Sequence, residues 1–264
     1  LNDRKGGANV AKKIKVLFAG EAIYMLTTIY KGRDSFNMGS YVEHGGYFIN
    51  ALEENGIDCD YCPTNKVAEE FPWTLDELKQ YDVIAVSDVG SDTFLISKRC
   101  MEGEKTPNRL KLLEQYVREG GGFIMWGGYL SFTGLYGKGF YRRTPVEKLL
   151  PVTLMDTDDR VEVPEGFLPK IRMANHPILS GVPATWEGWF LSYNRLIPKE
   201  KAAVIATIEE YDNDPFLTVW EYGKGRSLAS AVDCAHHGAA PSFLNWKYRS
   251  TLYANMVRWC AGEL

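Results

Sequence analysis

Short apolar runs alternate along the chain with stretches whose apolar residues recur at helical spacing. Lys13-Ile-Lys-Val-Leu-Phe-Ala-Gly20 predicts a buried first strand. Tyr24 to Met38 is polar and glycine-containing, which predicts a loop over the sheet edge. Ser40 to Asn55 has helical spacing (Val42, Tyr47, Phe48, Ala51, Leu52), with Gly56 as its stop. Ile57 to Cys62 alternates and ends at Pro63, so a strand near a sheet edge is expected. Thr74 and Glu77 have capping-box spacing and open a short helix to Gln80. Tyr81 to Ser87 reads as a third strand, and Arg109 to Glu119 as a helix with Leu110, Leu113, Tyr116 and Val117 on one stripe. Phe123 to Trp126 is uncharged without alternation, as in a central parallel strand buried on both faces. Residues 13–127 therefore read β-α-β-α-β-α-β, which implies a parallel sheet with helices on both faces.

After Gly134 the texture changes. Tyr136 to Pro151 holds a short helix ending at Leu150, and Val152 to Asn175 is rich in Asp, Glu and Pro. His176 to Gly181 reads as a compact turn, and Trp186 to Leu196 as an aromatic strand ending at Asn194-Arg195. Ala202 to Ile208 and Phe216 to Glu221 are strands, and Gly223 to Arg226 is a hairpin turn feeding the small-residue strand Ser227 to Val232. A closing helix is expected from Asn245 to Ala261. The expected organisation is a disordered leader over 1–12 and a single domain over 13–264, with a peripheral antiparallel elaboration at about 152–221.

Composition narrows the function classes. Thirty basic and 34 acidic residues leave a formal charge of −4, which gives no electrostatic footprint for nucleic acid or an anionic membrane. No apolar run reaches the ~20 residues that span a bilayer. Five cysteines are scattered over the chain and make no disulfide framework, so a cytoplasmic protein with reduced thiols is expected. Cys59 and Cys62 form C-x-x-C in a strand rather than at a helix start, and read as structural. No metal-ligand spacing is present, and the glycine clusters lack dinucleotide or P-loop spacing, so no metal or cofactor is expected.

The chemistry gathers where strands should end. Glu21 follows the first strand, Asp88 the third, Gly127-Gly128-Tyr129 the central one, and Asp233 with His236 and His237 the last. In an open α/β sheet these ends border the crevice where ligands bind. A histidine beside a carboxylate suits a general base, or caps the closing helix. Ser131 is a candidate nucleophile, or a hydroxyl satisfying local backbone. Asn194 and Arg195 end the aromatic strand and suit ligand recognition, while Arg142 and Arg143 have nearby acids as salt-bridge partners. The tryptophan-rich segments suggest either core packing or the interface of a homo-oligomer.

Leu17 to Glu21, Gly127 to Gly134, Thr144 to Val152, Gly223 to Arg226, and Asp233 to His237 with Trp246 together resemble the class I glutamine amidotransferase-like superfamily. The similarity is strongest to its branch of bacterial cytoplasmic proteins. It implies a flavodoxin-like three-layer α/β sandwich with a reaction centre at a strand-to-helix turn. Family enzymes carry a cysteine there in a Gly-x-Cys-x-Gly elbow, completed by a C-terminal His-x-Glu. Here the elbow reads Met125-Trp-Gly-Gly-Tyr129, and Gly238-Ala239 follow the histidines. The expectation is a small-molecule crevice without the cysteine nucleophile. Two functions fit it: hydrolysis of a C–N or ester bond with a histidine base, or a non-catalytic ligand-binding or scaffolding subunit of a homo-oligomer.

Overall fold

The computed structural model describes residues 13–236 and 238–264; the expected leader and His237 lie outside them. In chain order the first six strands are β1 (Lys15–Gly20), β2 (Ala22–Lys31), β3 (Asp34–Glu43), β4 (Asp58–Pro63), β5 (Val83–Ser87) and β6 (Gly122–Met125). They are followed by β7 (Val152–Thr153), β8 (Arg160–Phe167), β9 (Lys170–Ile171) and β10 (Phe190–Asn194). The last are β11 (Ile197–Pro198), β12 (Ala203–Ile208), β13 (Asp214–Tyr222) and β14 (Gly225–Ser230).

Eight of these strands form the central sheet, in the order β4-β1-β5-β6-β14-β13-β12-β9. The first five are mutually parallel and the rest continue antiparallel. The parallel part has the flavodoxin-like order, and its topological switch point lies between β1 and β5. Val16, Phe18, Ile84, Val86, Phe123 and Met125 are fully or almost fully buried, which explains why these strands show no polar alternation. Helices Gly46–Glu54 and Arg249–Cys260 pack together in one outer layer. There the rings of Phe48 and Tyr253 lie 5.7 and 4.8 Å from Trp126. Helix Arg109–Arg118 packs with Pro145–Leu149 in the second layer.

Local signals read from sequence recur in detail. Thr74 Oγ1 accepts from the Glu77 amide, and Glu77 Oε2 accepts from the Thr74 amide, closing the capping box on helix Leu75–Leu78. The β13–β14 hairpin turns at Gly223, whose φ of +63° suits glycine. The antiparallel elaboration divides: β9, β12 and β13 extend the central sheet, while β8–β10 and β7–β11 form two separate ribbons.

Several expectations need correction. The stretch Tyr24 to Met38 is not a loop but most of a ten-rung hairpin, β2 against β3, turning at Gly32 (φ +64°). Ile23, Tyr24, Ile29 and Tyr30 are good strand formers, and so are the intervening threonines that gave the stretch its polar look. The following helix accordingly starts at Gly46, because Ser40 to Glu43 belong to β3. The closing helix starts at Arg249, after a separate turn of helix at Pro241–Leu244. Of the two readings of the tryptophan-rich segments, core packing accounts for Trp126, Trp186, Trp246 and Trp259, which are buried, while Trp73 and Trp220 are half-buried and Trp189 is 48% exposed.

Candidate functional site

The site grows from two strained turns at the switch point. Glu21, just past β1, and Asp88, just past β5, have φ of +53° and +51°. This left-handed region is uncommon for residues with a side chain, and such backbone concentrates at functional positions. The two turns press together, since a Cβ on Gly20 would lie 1.7 Å from the Ser87 carbonyl oxygen. Ser87 Oγ donates to Glu21 Oε1 at 2.5 Å and lies 3.7 Å from the Cys234 sulfur. Glu21 is buried, and burial, reinforced by the negative charges of Asp88 and Asp233, holds its carboxyl well above the usual range.

Asp233 follows β14 into the same cluster. Its carboxylate accepts from the Gly238 and Ala239 amides at 3.2 and 3.1 Å. Burial pushes its pKa up to about 7, against the opposing pull of the Arg160 guanidinium. The Cys234 thiol is likewise pushed far up by burial and the adjacent carboxyls, so it is no candidate thiolate.

These shifts predict a pH dependence. Glu21 and Asp233 hold protons when folded at pH values where the unfolded chain has released them. Their contribution to stability is therefore complete below the ordinary carboxylate pKa. For Asp233 it is lost as pH rises to about 7, and for Glu21 as pH rises through its raised folded pKa. Glu21→Gln, which mimics the protonated acid, is expected to flatten the fall in Tm as pH rises above the ordinary carboxylate range. Melting curves over that rise check this; slopes equal to those of the parent protein would contradict it.

The elbow after β6 is the other half of the site. The Gly127 amide donates to the Val232 carbonyl at 3.0 Å. A Cβ at Gly127 would meet the Ala231 carbonyl oxygen at 2.4 Å and Asn194 Oδ1 at 2.8 Å. This turn position therefore has no room for a side chain. Gly128 (φ +142°) has its amide 2.9 Å from Asn194 Oδ1 and its carbonyl 3.1 Å from Asn194 Nδ2, so one buried side chain holds both. Asp88 Oδ1 accepts from the Leu130 amide at 2.6 Å, which couples the β5 turn to the elbow.

Ser131 is fully buried, accepts from the Asp88 amide at 3.1 Å and donates to the Gly127 carbonyl at 3.3 Å. Its hydroxyl is thus engaged with local backbone. Arg195 pairs with Asp214 at 2.8 Å, and Arg142 with Asp156 and Glu147. His236 is drawn elsewhere: its Nε2 lies 2.6 Å from the Tyr47 hydroxyl, and its ring is 6.0 Å from that of His44. It borders a separate depression of about 380 Å³ with Glu43, Asn50 and these two residues. Among the described residues, no group of three or more His, Cys, Asp or Glu is arranged to hold a metal ion.

Sequence reading missed two members. Asp159 accepts from the Thr133 and Gly134 amides, each at 2.9 Å, and from Asn194 Nδ2 at 2.7 Å, so it shapes the elbow loop. Burial raises its pKa to about 6. Arg160, its side chain only 2% exposed, donates to Asn194 Oδ1 and Ser192 Oγ and lies 5.0 Å over the Tyr129 ring. Both lie in the acidic 152–175 stretch, whose composition looks peripheral. The only local signal was Asp-Arg just before an alternating run.

Over the switch point lies a cavity of about 410 Å³. The carboxylate-bearing Asp88 lines it with Tyr24, Tyr129, Tyr136 and Lys138, while Ile23, Leu130 and Leu135 add apolar wall. Of the three clustered acids only Asp88 reaches this cavity; Glu21 and Asp233 stand behind it. Two further depressions, at Gly120 and Gly223 to Arg226 and at Lys79 to Asp82, flank the chain segments that enter β6, β14 and β5, at the opposite end of these strands.

Known proteins supply the remaining context. The family model described as "Putative glutamine amidotransferase" matches residues 15–262. The chain belongs to this family. Two solved structures resemble this family member over nearly its whole length. The cytoplasmic protein STM3548 from Salmonella typhimurium is 37% identical with a TM-score of 0.89, the match covering 94% of this chain and 99% of the other. The cytoplasmic protein STM1381 from Salmonella typhimurium LT2 is 39% identical with a TM-score of 0.88, again over 94% and 99%. A ThuA-like protein from Bacteroides uniformis, 13% identical with a TM-score of 0.57 over 97% and 95%, shares the fold. No curated protein matches this sequence. Among the described residues of this family member, no helix is long and apolar enough to cross a membrane.

Proposed function

We propose that this glutamine amidotransferase-like protein binds a small molecule over Asp88 and Tyr129 and does not hydrolyse glutamine. The observation that carries this reading is the elbow: a side chain at Gly127 would collide with the Ala231 carbonyl. Cysteine hydrolases need a thiolate at that point, with a base to hold it ionised. The cavity meanwhile has the make-up of a recognition site, mostly apolar and aromatic with a few convergent polar groups. Asp88 suits a hydroxyl or amine donor, Lys138 an anionic group, and the tyrosines a flat apolar face. A histidine-based hydrolase finds less support, because His236 engages Tyr47 and borders a different depression. The names of the Salmonella relatives support a cytoplasmic location.

The test is a thermal-shift screen with amino acids, sugars and nucleosides. A compound that raises the Tm of the parent protein is expected to bind at least ~10-fold more weakly to Tyr129→Ala and Lys138→Ala. If no compound stabilises the protein, or if both variants bind it unchanged, the reading fails.

A further inference from the structure

The β2–β3 hairpin borders the ligand crevice and helix Thr64–Glu70 only at its base, and the rest of it is exposed. Ten residues a strand make a ribbon roughly 33 Å long. The described bonds that tie it to the body lie at its base. The Ala22 amide donates to Thr64 Oγ1 at 3.2 Å, the Tyr41 hydroxyl to Asn65 Oδ1 at 2.9 Å, and the His44 amide to the Glu21 carbonyl at 2.7 Å. From Ile23 to Lys31 every residue is exposed or half-exposed, and so is every residue of β3.

The composition of this ribbon is at odds with that exposure. Ile23 pairs with Val42, Thr27 with Met38 and Ile29 with Phe36, and Met25 shares their face, so one side is an almost continuous apolar strip. The other side carries Tyr24, Leu26 and Tyr30 at 70%, 72% and 77% exposure. Charges occur only at the tip (Lys31, Arg33, Asp34) and the base (Glu43). Free ribbons of natural proteins are usually guarded by lysines, prolines or bulges, and an isolated two-stranded hairpin is marginal in water. Neither guard residue stands between Ala22 and Tyr30 or between Ser35 and Val42, and the pairing register is unbroken.

We propose that the hairpin is an arm by which two copies of this chain associate, each covering the exposed apolar side chains on both faces of the other's arm. Three features favour a second copy over a different partner. Counting both faces of the ribbon, Tyr24, Leu26, Tyr30 and Tyr41 as well as the strip, the exposed apolar side chains offer on the order of 1,000 Å² per protomer, from values of ~150–250 Å² for a whole aromatic side chain. That meets the ~800 Å² each partner gives to a stable interface. The strip has no charge with which to select an oppositely charged partner. Its apolar character is that of homodimer interfaces, and a strip apolar along its length is self-complementary about a two-fold axis. Ile23 and Tyr24 also line the crevice, so the second copy stands at its mouth.

Sedimentation velocity of the full chain at micromolar concentration tests this. The parent protein is expected to sediment as a dimer or a closed assembly of dimers. Met25→Lys combined with Met38→Lys, both on the apolar strip, is expected to weaken association at least ~100-fold and yield monomer. A monomeric parent protein, or a double variant that still associates, overturns the proposal. Should the variant fail to fold, hydrogen exchange of the parent protein decides: amides of residues 22–43 should become more protected as concentration rises. Protection independent of concentration means cover from within the chain, and absent protection means no cover; either result also overturns it.

Discussion

Replacing Gly127 with cysteine is expected to damage the fold rather than create a glutaminase. The new Cβ would sit 2.4 Å from the Ala231 carbonyl oxygen and 2.8 Å from Asn194 Oδ1, and the first of these is backbone of the segment leaving β14. Relief requires β6 and that segment to part, which strains the 3.0 Å bond from the Gly127 amide to Val232. Asn194 would have to move as well, releasing Gly128, Asp159 and Arg160 together. Overpacking of this kind costs about 1–3 kcal/mol, occasionally more, and this site belongs at the upper end. A Tm drop of roughly 6–12 °C follows for a chain of this size. Calorimetry and an ammonia-release assay check both halves; a stable variant that hydrolyses glutamine would refute the geometric argument.

Arg109→Ala is expected to be the most damaging single substitution away from the elbow. Arg109 is fully buried, and its guanidinium donates to the carbonyls of Phe94, Val67, Phe71, Ala68 and Thr93 at 2.6–3.4 Å. These carbonyls end two short helices, Thr64–Glu70 and Ser91–Leu95, so one cation caps both negative ends. The guanidinium also lies 4.0 Å over the Trp73 ring. Burial lowers its pKa only to about 10, which leaves it charged at neutral pH. Truncation strands several carbonyls at ~1–3 kcal/mol each, less what entering water recovers, for a net loss on the order of 4 kcal/mol. Chemical denaturation checks this, with Arg109→Lys retaining part of the loss because lysine has the charge but not the fork. A cost below ~1 kcal/mol would show that the carbonyls find other donors.

The contrast between these residues shows what a sequence can carry. The parallel strands were legible because burial on both faces leaves runs such as Val83–Ser87 with no alternation. The strand-end acids were legible because a carboxylate after such a run has few reasons to be there. Arg109 looked like an ordinary helix start, since its five acceptors come from segments 15 to 42 residues away. Asp159 and Arg160 were hidden for the same reason: their work is done on an elbow loop distant in sequence. The hairpin was misread because exposed apolar strands lack the burial pattern that identifies a strand. That same feature makes it a candidate arm.

The most direct test of the central claim is intact-mass analysis after exposure to a glutamine-mimicking diazoketone, which alkylates a glutaminase nucleophile. With glycine at the elbow and Cys234 held as a thiol beside buried carboxyls, the protein is expected to gain no mass under conditions that label a competent glutaminase fully. A stoichiometric adduct on any cysteine, blocked by glutamine, would contradict the account.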